Sequence, residues 1–293
     1  MKKAPRFYIT DVFSVGKYTG NQLATFINCN DFSDEEMQKI AREVNFSEIT
    51  FITSNLSTEN EYDVRIFMPG EELPFAGHPA LGTAFVIRNF VALGQPSEIV
   101  LNLKVGKIPV TFIGDQCWMK QIEPQFGEVI DKSLMAAILG LDDNNMDNKF
   151  PVQKVSTGIP ILITPVKNLQ ALRNIKVDKS KFYDLLNKTN VKGIYIFCAE
   201  GYEKEQDLSA RLFFDSYGIC EDPATGSACG CLAGYLIKNN YYNKESISKQ
   251  IGQGYEINRP SNLFLKATKQ GNSINIHVGG NVQKVAEGFW VSD

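Results

Sequence analysis

An internal duplication constrains the fold of this chain more than any other sequence feature. The hexapeptide PALGTA at residues 79–84 returns as PATGSA at residues 223–228. A polar residue precedes each copy, His78 in the first and Asp222 in the second. A solenoid needs about three or more repeats, so a unit that occurs only twice predicts two similar lobes.

The similarity extends upstream of the hexapeptides. An Arg-x-Phe segment occurs at residues 65–67 and again at 211–213. Further upstream, Gly20 and Gly158 each precede an apolar, strand-like run. The repeated unit is therefore a whole half-chain of strands and helices, and His78 is predicted to be the counterpart of Asp222.

Each half contains one helix that is apolar on all sides. The first is predicted from Pro79 to about Val91 and the second from Pro223 to Ile237, because proline suits the first helical position. A helix without a polar face is buried on all sides. This predicts an α+β fold with two pseudosymmetric lobes, each a curved, barrel-like mixed sheet around a central helix. The predicted lobes are residues 1–122 plus 281–293 and residues 123–280, with the active site in the cleft between them.

Composition limits the classes of function. The chain has 293 residues, 43% hydrophobic and 22% charged, which is typical of a globular protein with a sizeable core. A net charge of −3 gives no basic excess, so we expect no nucleic-acid partner. No segment approaches the roughly 18 apolar residues of a membrane helix, and the N-terminal segment is a poor signal peptide. We expect a cytoplasmic protein without a membrane partner, and a homodimer stays open.

Several kinds of site are excluded or disfavoured by residue counts and spacing. The six cysteines lack a CxxC pair and are interpreted as reduced thiols. Cys229 and Cys231 stand two apart on a predicted helix and point to different sides. With His78 and His277 as the only histidines, a histidine-rich metal site is impossible, and we expect no metal. The sequence also has neither a Walker phosphate loop nor a Gly-x-Ser-x-Gly elbow.

The starts of the two central helices are the predicted binding site. Helix N-termini present unpaired NH groups and a partial positive charge, which favours a small carboxylate or phosphate. Simpler interpretations stay open for single residues. Asp222 also suits a helix N-cap, and a lone glutamate such as Glu48 is usually solvated.

Taken together, the motifs resemble the PhzF-like family (phenazine biosynthesis protein F and its relatives), within the diaminopimelate epimerase superfamily. The matching segments cover nearly the whole chain: DVF at 11–13, GN at 20–21, NFSE at 45–48, RIF at 65–67, FAGHP at 75–79, DPATGS at 222–227, 254–261 and GG at 279–280. Gln22 departs from the family, which often has proline after Gly-Asn.

The resemblance implies isomerase chemistry on a carbon acid with no metal or organic cofactor. Glu48 matches the catalytic acid/base of the family, and His78, Asp222 and Ser227 match residues that surround the substrate. The expected catalytic residues are Glu48, His78 and Asp222. In the racemase and epimerase branches, the residues at positions 78 and 222 are both cysteines. This chain has His78 and Asp222 there, which favours a mechanism in which one carboxylate removes the proton and returns it. The expected substrate-binding residues are Asn21, Gly77, Thr225, Gly226 and Ser227.

Two other functions stay open from the sequence. The first is an amino-acid epimerase in which His78 and Asp222 act as two opposed bases. The second is a non-catalytic relative that binds a small molecule. The expected partner in each case is a small carboxylate-bearing compound.

Overall fold

The computed structural model describes residues 5–54, 60–215 and 219–291. The chain divides into two compact units. Unit 1 comprises Met1–Met119 and Gly279–Asp293, and unit 2 comprises Lys120–Val278. Among the described residues, no helix is long and apolar enough to cross a membrane.

Unit 1 has a mixed sheet and two α-helices. Its elements are β1 Arg6–Val12, β2 Asn21–Ile27, α1 Asp34–Val44, β3 Ile49–Ile52, β4 Glu61–Phe67, β5 Glu72–Leu73, α2 Gly77–Val86, β6 Glu98–Leu103, β7 Gly106–Ile113 and β8 Gln116–Lys120. Strand β1 pairs antiparallel with β2 and with the last strand, β17 Ser273–Phe289, which runs from unit 2 into unit 1. The pairs β2–β3 and β4–β6 are parallel, whereas β3–β4 and β6–β7 are antiparallel.

Unit 2 repeats this pairing with different strands. Its elements are β9 Gln125–Ile130, α3 Lys132–Leu139, β10 Val152–Ser156, β11 Pro160–Pro165, α4 Leu169–Arg173, α5 Lys179–Thr189, β12 Gly193–Cys198, β13 Leu208–Asp215, β14 Ile219–Asp222, α6 Gly226–Lys238, β15 Ser246–Gln253 and β16 Ser261–Gln270. The pairs β11–β12 and β13–β15 are parallel, and β10–β11, β12–β13 and β15–β16 are antiparallel. The two units therefore follow one plan.

One buried helix occupies the middle of each sheet. Nine of the ten residues of α2 are buried, and the helix contacts β1, β2, β3, β6 and β7. Twelve of the thirteen residues of α6 are buried, and it contacts β10, β11 and β16. A helix that is apolar on every side must be surrounded by other elements to remove that surface from water. The predicted α+β architecture of a curved sheet around a central helix is confirmed in each unit.

The register of the duplication differs from the sequence prediction. In unit 1, Phe67 of β4 pairs with Glu72 of β5, and in unit 2 Phe213 of β13 pairs with Glu221 of β14. Glu72 and Glu221 are therefore counterparts. Pro74 and Pro223, each two residues further along, are counterparts as well. The prediction that paired Pro79 with Pro223, and His78 with Asp222, is therefore wrong by five residues.

The corrected register gives new counterparts for the candidate residues. Gly77 and Gly226 are both the first residue of their helix, so His78 corresponds to Ser227. Asp222 corresponds to Leu73, because each is the last residue of its strand and pairs with the same position of the neighbouring strand. The two hexapeptides therefore occupy different positions: PALGTA lies within α2, whereas PATGSA begins three residues before α6.

A bidentate ion pair marks the same position in both units. Arg65 Nε and Nη2 donate to Glu72 Oε1 and Oε2 at 2.8 and 2.6 Å. Arg211 binds Glu221 in the same bidentate way, at 2.8 and 2.7 Å. These pairs lock the short strands β5 and β14, which lead into the central helices, onto the neighbouring long strands.

Helix and strand ends differ from the predictions for local reasons. Helix α2 begins two residues before Pro79 and ends at Val86, where a π-helical turn covers Ile87–Val91. Helix α6 begins three residues after Pro223. The apolar and polar residues alternate from Asn45 to Ile52, which predicts a strand over that range. The observed strand covers only Ile49–Ile52, and Asn45 adopts the left-handed conformation that ends α1.

We predict that Gly279→Ala destabilises unit 1, because a Cβ at Gly279 would lie 2.5 Å from Trp118 Cδ2 and 2.7 Å from the carbonyl oxygen of Cys117. Overpacking of this kind costs about 1–3 kcal/mol. Gly16→Ala is the matched control, since nothing lies within 4 Å of a Cβ there. Denaturant unfolding of both variants measures the difference. Equal free energies of unfolding for the two variants would contradict this account of the strand contact.

Candidate active site

Three of the predicted site residues come together in unit 1. Asn21 is the first residue of β2, Glu48 lies immediately before β3, and His78 is the second residue of α2. Because β2 and β3 are parallel neighbours and α2 packs against both, their N-terminal ends lie side by side. The sheet register therefore brings together residues that are far apart in sequence.

The imidazole of His78 lies between the other two side chains. Asn21 Nδ2 is 3.4 Å from His78 Nδ1. On the other side of the ring, His78 Nε2 is 3.6 Å from Glu48 Oε2. The side chain of His78 is 7% exposed and that of Glu48 is 21% exposed, so the carboxylate is the solvent-facing member of the pair.

Burial controls the charge of His78. Desolvation lowers the pKa of the imidazole below its ordinary value, while the negative charge of Glu48 and a backbone hydrogen bond at Gln22 oppose the shift. The ring is therefore neutral at neutral pH. Among the described residues, its Nε2 atom has no hydrogen-bond partner. Buried polar atoms are almost always paired, so an unpaired one at this place suits contact with a bound molecule.

A tight turn sets the position of Asn21. Gly20 has a φ of +71°, and a Cβ there would lie 2.3 Å from the carbonyl oxygen of Val12. Only glycine fits this conformation and this close approach. The Gly-Asn pair noted in the sequence therefore directs the chain into β2 with Asn21 buried at its start.

The two central helices begin differently from the other four. A side-chain oxygen caps the start of α1, α3, α4 and α5, from Ser33, Asp131, Asn168 and Asp178 respectively. Among the described residues, no side chain caps α2 or α6. The first NH groups of a helix need a partner. The starts of α2, at Gly77, and of α6, at Gly226, are thus suited to accept an anion.

The unit 2 candidates form a separate polar cluster. Thr225, the N-cap residue of α6, donates its hydroxyl to Asp222 Oδ2. Asp222 and Ser227 are both nearly buried, at 9% and 8% exposure. The interpretation of Asp222 as an N-cap is wrong, because α6 begins only at Gly226 and Thr225 occupies the cap position. Asp222 instead lies at the end of β14 with its carboxylate held by Thr225.

Sequence reasoning missed the residue that supports this cluster. Gln253 is fully buried, and its Nε2 donates to the carbonyl oxygen of Asp222 at 2.9 Å and to Thr225 Oγ1 at 3.3 Å. Its Oε1 accepts from the Tyr195 hydroxyl at 3.1 Å and from the NH of Thr225 at 3.4 Å. In the sequence, Gln253 could have been found from its position immediately before the 254–261 motif.

The cysteines of α6 are poorly suited to acid/base work. Burial raises the pKa of Cys231 to about 11 and raises that of Cys229 further above its usual range. Cys29, Cys117, Cys198, Cys229 and Cys231 are free thiols, and the side chain of Cys220 lies outside the described residues. Within the described ranges, no group of three or more His, Cys, Asp or Glu side chains could hold a metal ion.

The chain is similar to known isomerases along its whole length. The family model for phenazine biosynthesis-like proteins matches residues 10–288. Trans-2,3-dihydro-3-hydroxyanthranilate isomerase of Pseudomonas aeruginosa is 31% identical over 97% of this chain and 98% of its own length.

Solved structures give the same result for the fold. A Bacillus anthracis phenazine biosynthesis protein of the PhzF family aligns with a TM-score of 0.89 and 26% identity, covering 99% of this chain and 100% of that one. A probable proline racemase from Agrobacterium radiobacter aligns with a TM-score of 0.64 over 99% of this chain and 93% of its own. At 8% identity, the second match shows the shared fold alone.

The lowered pKa of His78 predicts a pH-dependent stability. As pH falls through about 6.5, the unfolded chain binds a proton at His78 that the folded chain does not, so the free energy of unfolding decreases until the lowered folded pKa is reached. His78→Gln should reduce this decrease. Denaturant unfolding at about pH 7.5, 6.5 and 5.5 measures it. His277, whose pKa burial also lowers, requires a separate His277→Gln control. Identical pH profiles for wild type and His78→Gln would overturn the prediction.

Proposed function

We propose a proton-shift reaction for this chain on the premise that it belongs to the phenazine biosynthesis-like (PhzF) family. The chain is an isomerase, as its named relatives are. The proposed substrate is a small carboxylate-bearing compound with an acidic C–H bond. The name of the Pseudomonas aeruginosa relative refers to such a compound, an anthranilate derivative.

The proposal rests on the Glu48–His78 pair. Glu48 is partly exposed and lies 3.6 Å from a buried, neutral imidazole. Asn21 and the backbone at Gln22 contact the ring, and its Nε2 atom, which faces Glu48, has no hydrogen-bond partner among the described residues. This arrangement suits a carboxylate that exchanges a proton with a substrate beside a neutral imidazole.

In the proposed reaction, ionised Glu48 accepts a proton from a carbon of the substrate, and the electron pair of the C–H bond stays on the substrate. Glu48, now protonated, returns the proton to another carbon of the same molecule. The double bond shifts, one C–H bond has broken and one has formed, and Glu48 is again ionised. A positioned acid/base of this kind contributes about a hundredfold to ten-thousandfold in rate.

The start of α2 is the proposed site for the negative charge of the substrate. The NH groups of Gly77 and His78 are in the first turn of an uncapped helix, and Pro79, which has no NH, follows them. NH groups at a helix start stabilise a carboxylate or the charge that develops on removal of a proton. In unit 2, Asp222 stays a prediction as a catalytic residue, and Thr225, Gly226 and Ser227 stay predictions as substrate-binding residues.

The duplication argues against a symmetric two-base reaction. The counterparts of Ile49 and Phe67 are Ile194 and Phe213, so Glu48 corresponds to Gly193 in unit 2. His78 and Asp222 are not counterparts either, since they correspond to Ser227 and Leu73. The acid and base groups are thus not duplicated. This asymmetry favours one carboxylate that both takes and returns the proton.

We predict that Glu48→Gln lowers kcat by about a hundredfold to ten-thousandfold, because glutamine keeps the shape and hydrogen bonding of glutamate but cannot carry the proton. Trans-2,3-dihydro-3-hydroxyanthranilate is the first substrate to assay, followed by other small carboxylates. Titration calorimetry should show that the variant still binds the compound that wild type turns over.

Glu43→Gln is the matched control, because Glu43 is an exposed glutamate of α1. Unchanged turnover by Glu48→Gln would exclude the proton shuttle. A reaction in deuterated water discriminates the alternatives further. Inversion of a single stereocentre with deuterium incorporation would favour the two-base epimerase, and binding with no turnover of any compound would favour a non-catalytic relative.

We also predict that turnover needs neither a thiol nor a metal ion. Burial raises the pKa of both α6 thiols, so they are protonated at neutral pH and unsuited to accept a proton. Cys229→Ala and Cys231→Ala should lower the melting temperature and leave kcat within about twofold of wild type. Exhaustive chelation should likewise leave kcat unchanged. A folded cysteine variant without activity would point to a thiol-based racemase instead.

A further inference from the structure

Three threonine hydroxyls form a buried hydrogen-bonded series in unit 1. Thr83 Oγ1 donates to Thr50 Oγ1 at 2.7 Å, and Thr50 Oγ1 donates to Thr25 Oγ1 at 2.9 Å. All three residues are fully buried. A buried hydroxyl is costly unless it is hydrogen-bonded, and here Thr50, the central member, satisfies both of its neighbours.

The series joins the three elements that carry the unit 1 site. Thr25 lies in β2, which begins at Asn21, and Thr50 lies in β3, which Glu48 immediately precedes. Thr83 lies in α2, little more than one turn after His78. Each site residue is therefore attached, through a few residues of its own strand or helix, to one hydroxyl of the series.

We propose that Thr50, with Thr25 and Thr83, is a positioning residue that sets the separation of His78 from Glu48. Apolar contacts between a helix and a sheet are non-directional, whereas a hydrogen bond fixes distance and angle. The 3.6 Å between His78 Nε2 and Glu48 Oε2 is longer than a hydrogen bond, so this pair does not hold itself. The hydroxyl series supplies the link between α2 and β3. The expected effect on kcat rests on the proposed function, whereas the positioning of His78 does not.

Unit 2 provides an internal comparison. The counterparts of Thr25, Thr50 and Thr83 are Ile163, Tyr195 and Leu232, all fully buried. Two of these are aliphatic, and Tyr195 donates its hydroxyl to Gln253 instead. The same layer of the fold can thus be packed without the hydroxyl series. The series occurs in the unit that carries Glu48 and His78.

Thr50→Val tests the proposal, because valine keeps the shape of the side chain and removes the central hydroxyl. The chain has two histidines, so the ring resonances of His78 can be followed by NMR with His277 as the internal reference. We expect the shifts and titration midpoint of His78 to change while those of His277 stay. We also expect kcat to fall about tenfold or more with KM within about twofold, since small misplacements of reacting groups slow the chemical step.

Two variants separate positioning from stability. Thr50→Ser restores the hydroxyl and should return both His78 and kcat to wild-type behaviour. Thr164→Val removes a buried hydroxyl of β11 that has no hydrogen-bond partner among the described residues, and should change neither readout. If Thr50→Val does not fold, Thr83→Val breaks only the bond between α2 and β3 and gives the same measurements.

A folded Thr50→Val or Thr83→Val protein with unchanged His78 resonances would overturn the proposal, and the hydroxyls would then serve stability alone. The NMR result does not depend on turnover. If Glu48→Gln keeps full activity, the proposed function fails, while a displaced His78 in Thr50→Val still supports positioning. If Glu48→Gln is inactive but Thr50→Val keeps its kcat and its His78 resonances, the positioning proposal fails alone.

Discussion

The complete burial of one helix in each unit is the constraint on which the rest of this structure depends. A helix surrounded by strands favours small and apolar side chains, which explains the Ala and Gly content of α2 and α6. The same burial gives the helix start a particular chemistry. Among the described residues, no N-cap side chain bonds to these two helix starts, so their first NH groups lack the partner that the other four α-helices have. The burial that shapes the fold thus also sets the chemistry of the two helix starts.

The sequence predicted the architecture better than the register of the duplication. Apolar helices and the Arg-x-Phe segments were enough for two similar α+β lobes. The register is fixed by backbone pairing and by two bidentate ion pairs, Arg65–Glu72 and Arg211–Glu221. Sequence similarity could not reveal this, because PALGTA and PATGSA resemble each other although they lie at different positions relative to their helices. The true counterparts, Pro74 and Pro223, lie between less similar neighbours.

Local motifs in the sequence pointed to candidate residues that the structure brings together, but they gave no signal for partners that are distant in sequence. The motif containing Glu48 and the one containing His78 pointed to these residues directly. Gln253 and the threonines of unit 1 gave no such signal, because their role depends on contacts between elements far apart in the chain. A buried threonine or glutamine is also uninformative in sequence, since its hydrogen-bond partner decides whether it supports a site or only a core.

The two units show how one plan supports different chemistry. Thr50 and Tyr195 are counterparts. The hydroxyl of Thr50 accepts from Thr83 of α2, the helix that carries His78. The hydroxyl of Tyr195 donates instead to Gln253, whose amide donates to the carbonyl oxygen of Asp222. Glu48 corresponds to Gly193, where a Cβ would lie 2.7 Å from the carbonyl oxygen of Phe213. Unit 2 therefore cannot acquire a second glutamate at this position without moving its backbone. The duplication supplies two helix starts, and the packing at Gly193 restricts a glutamate at this position to unit 1.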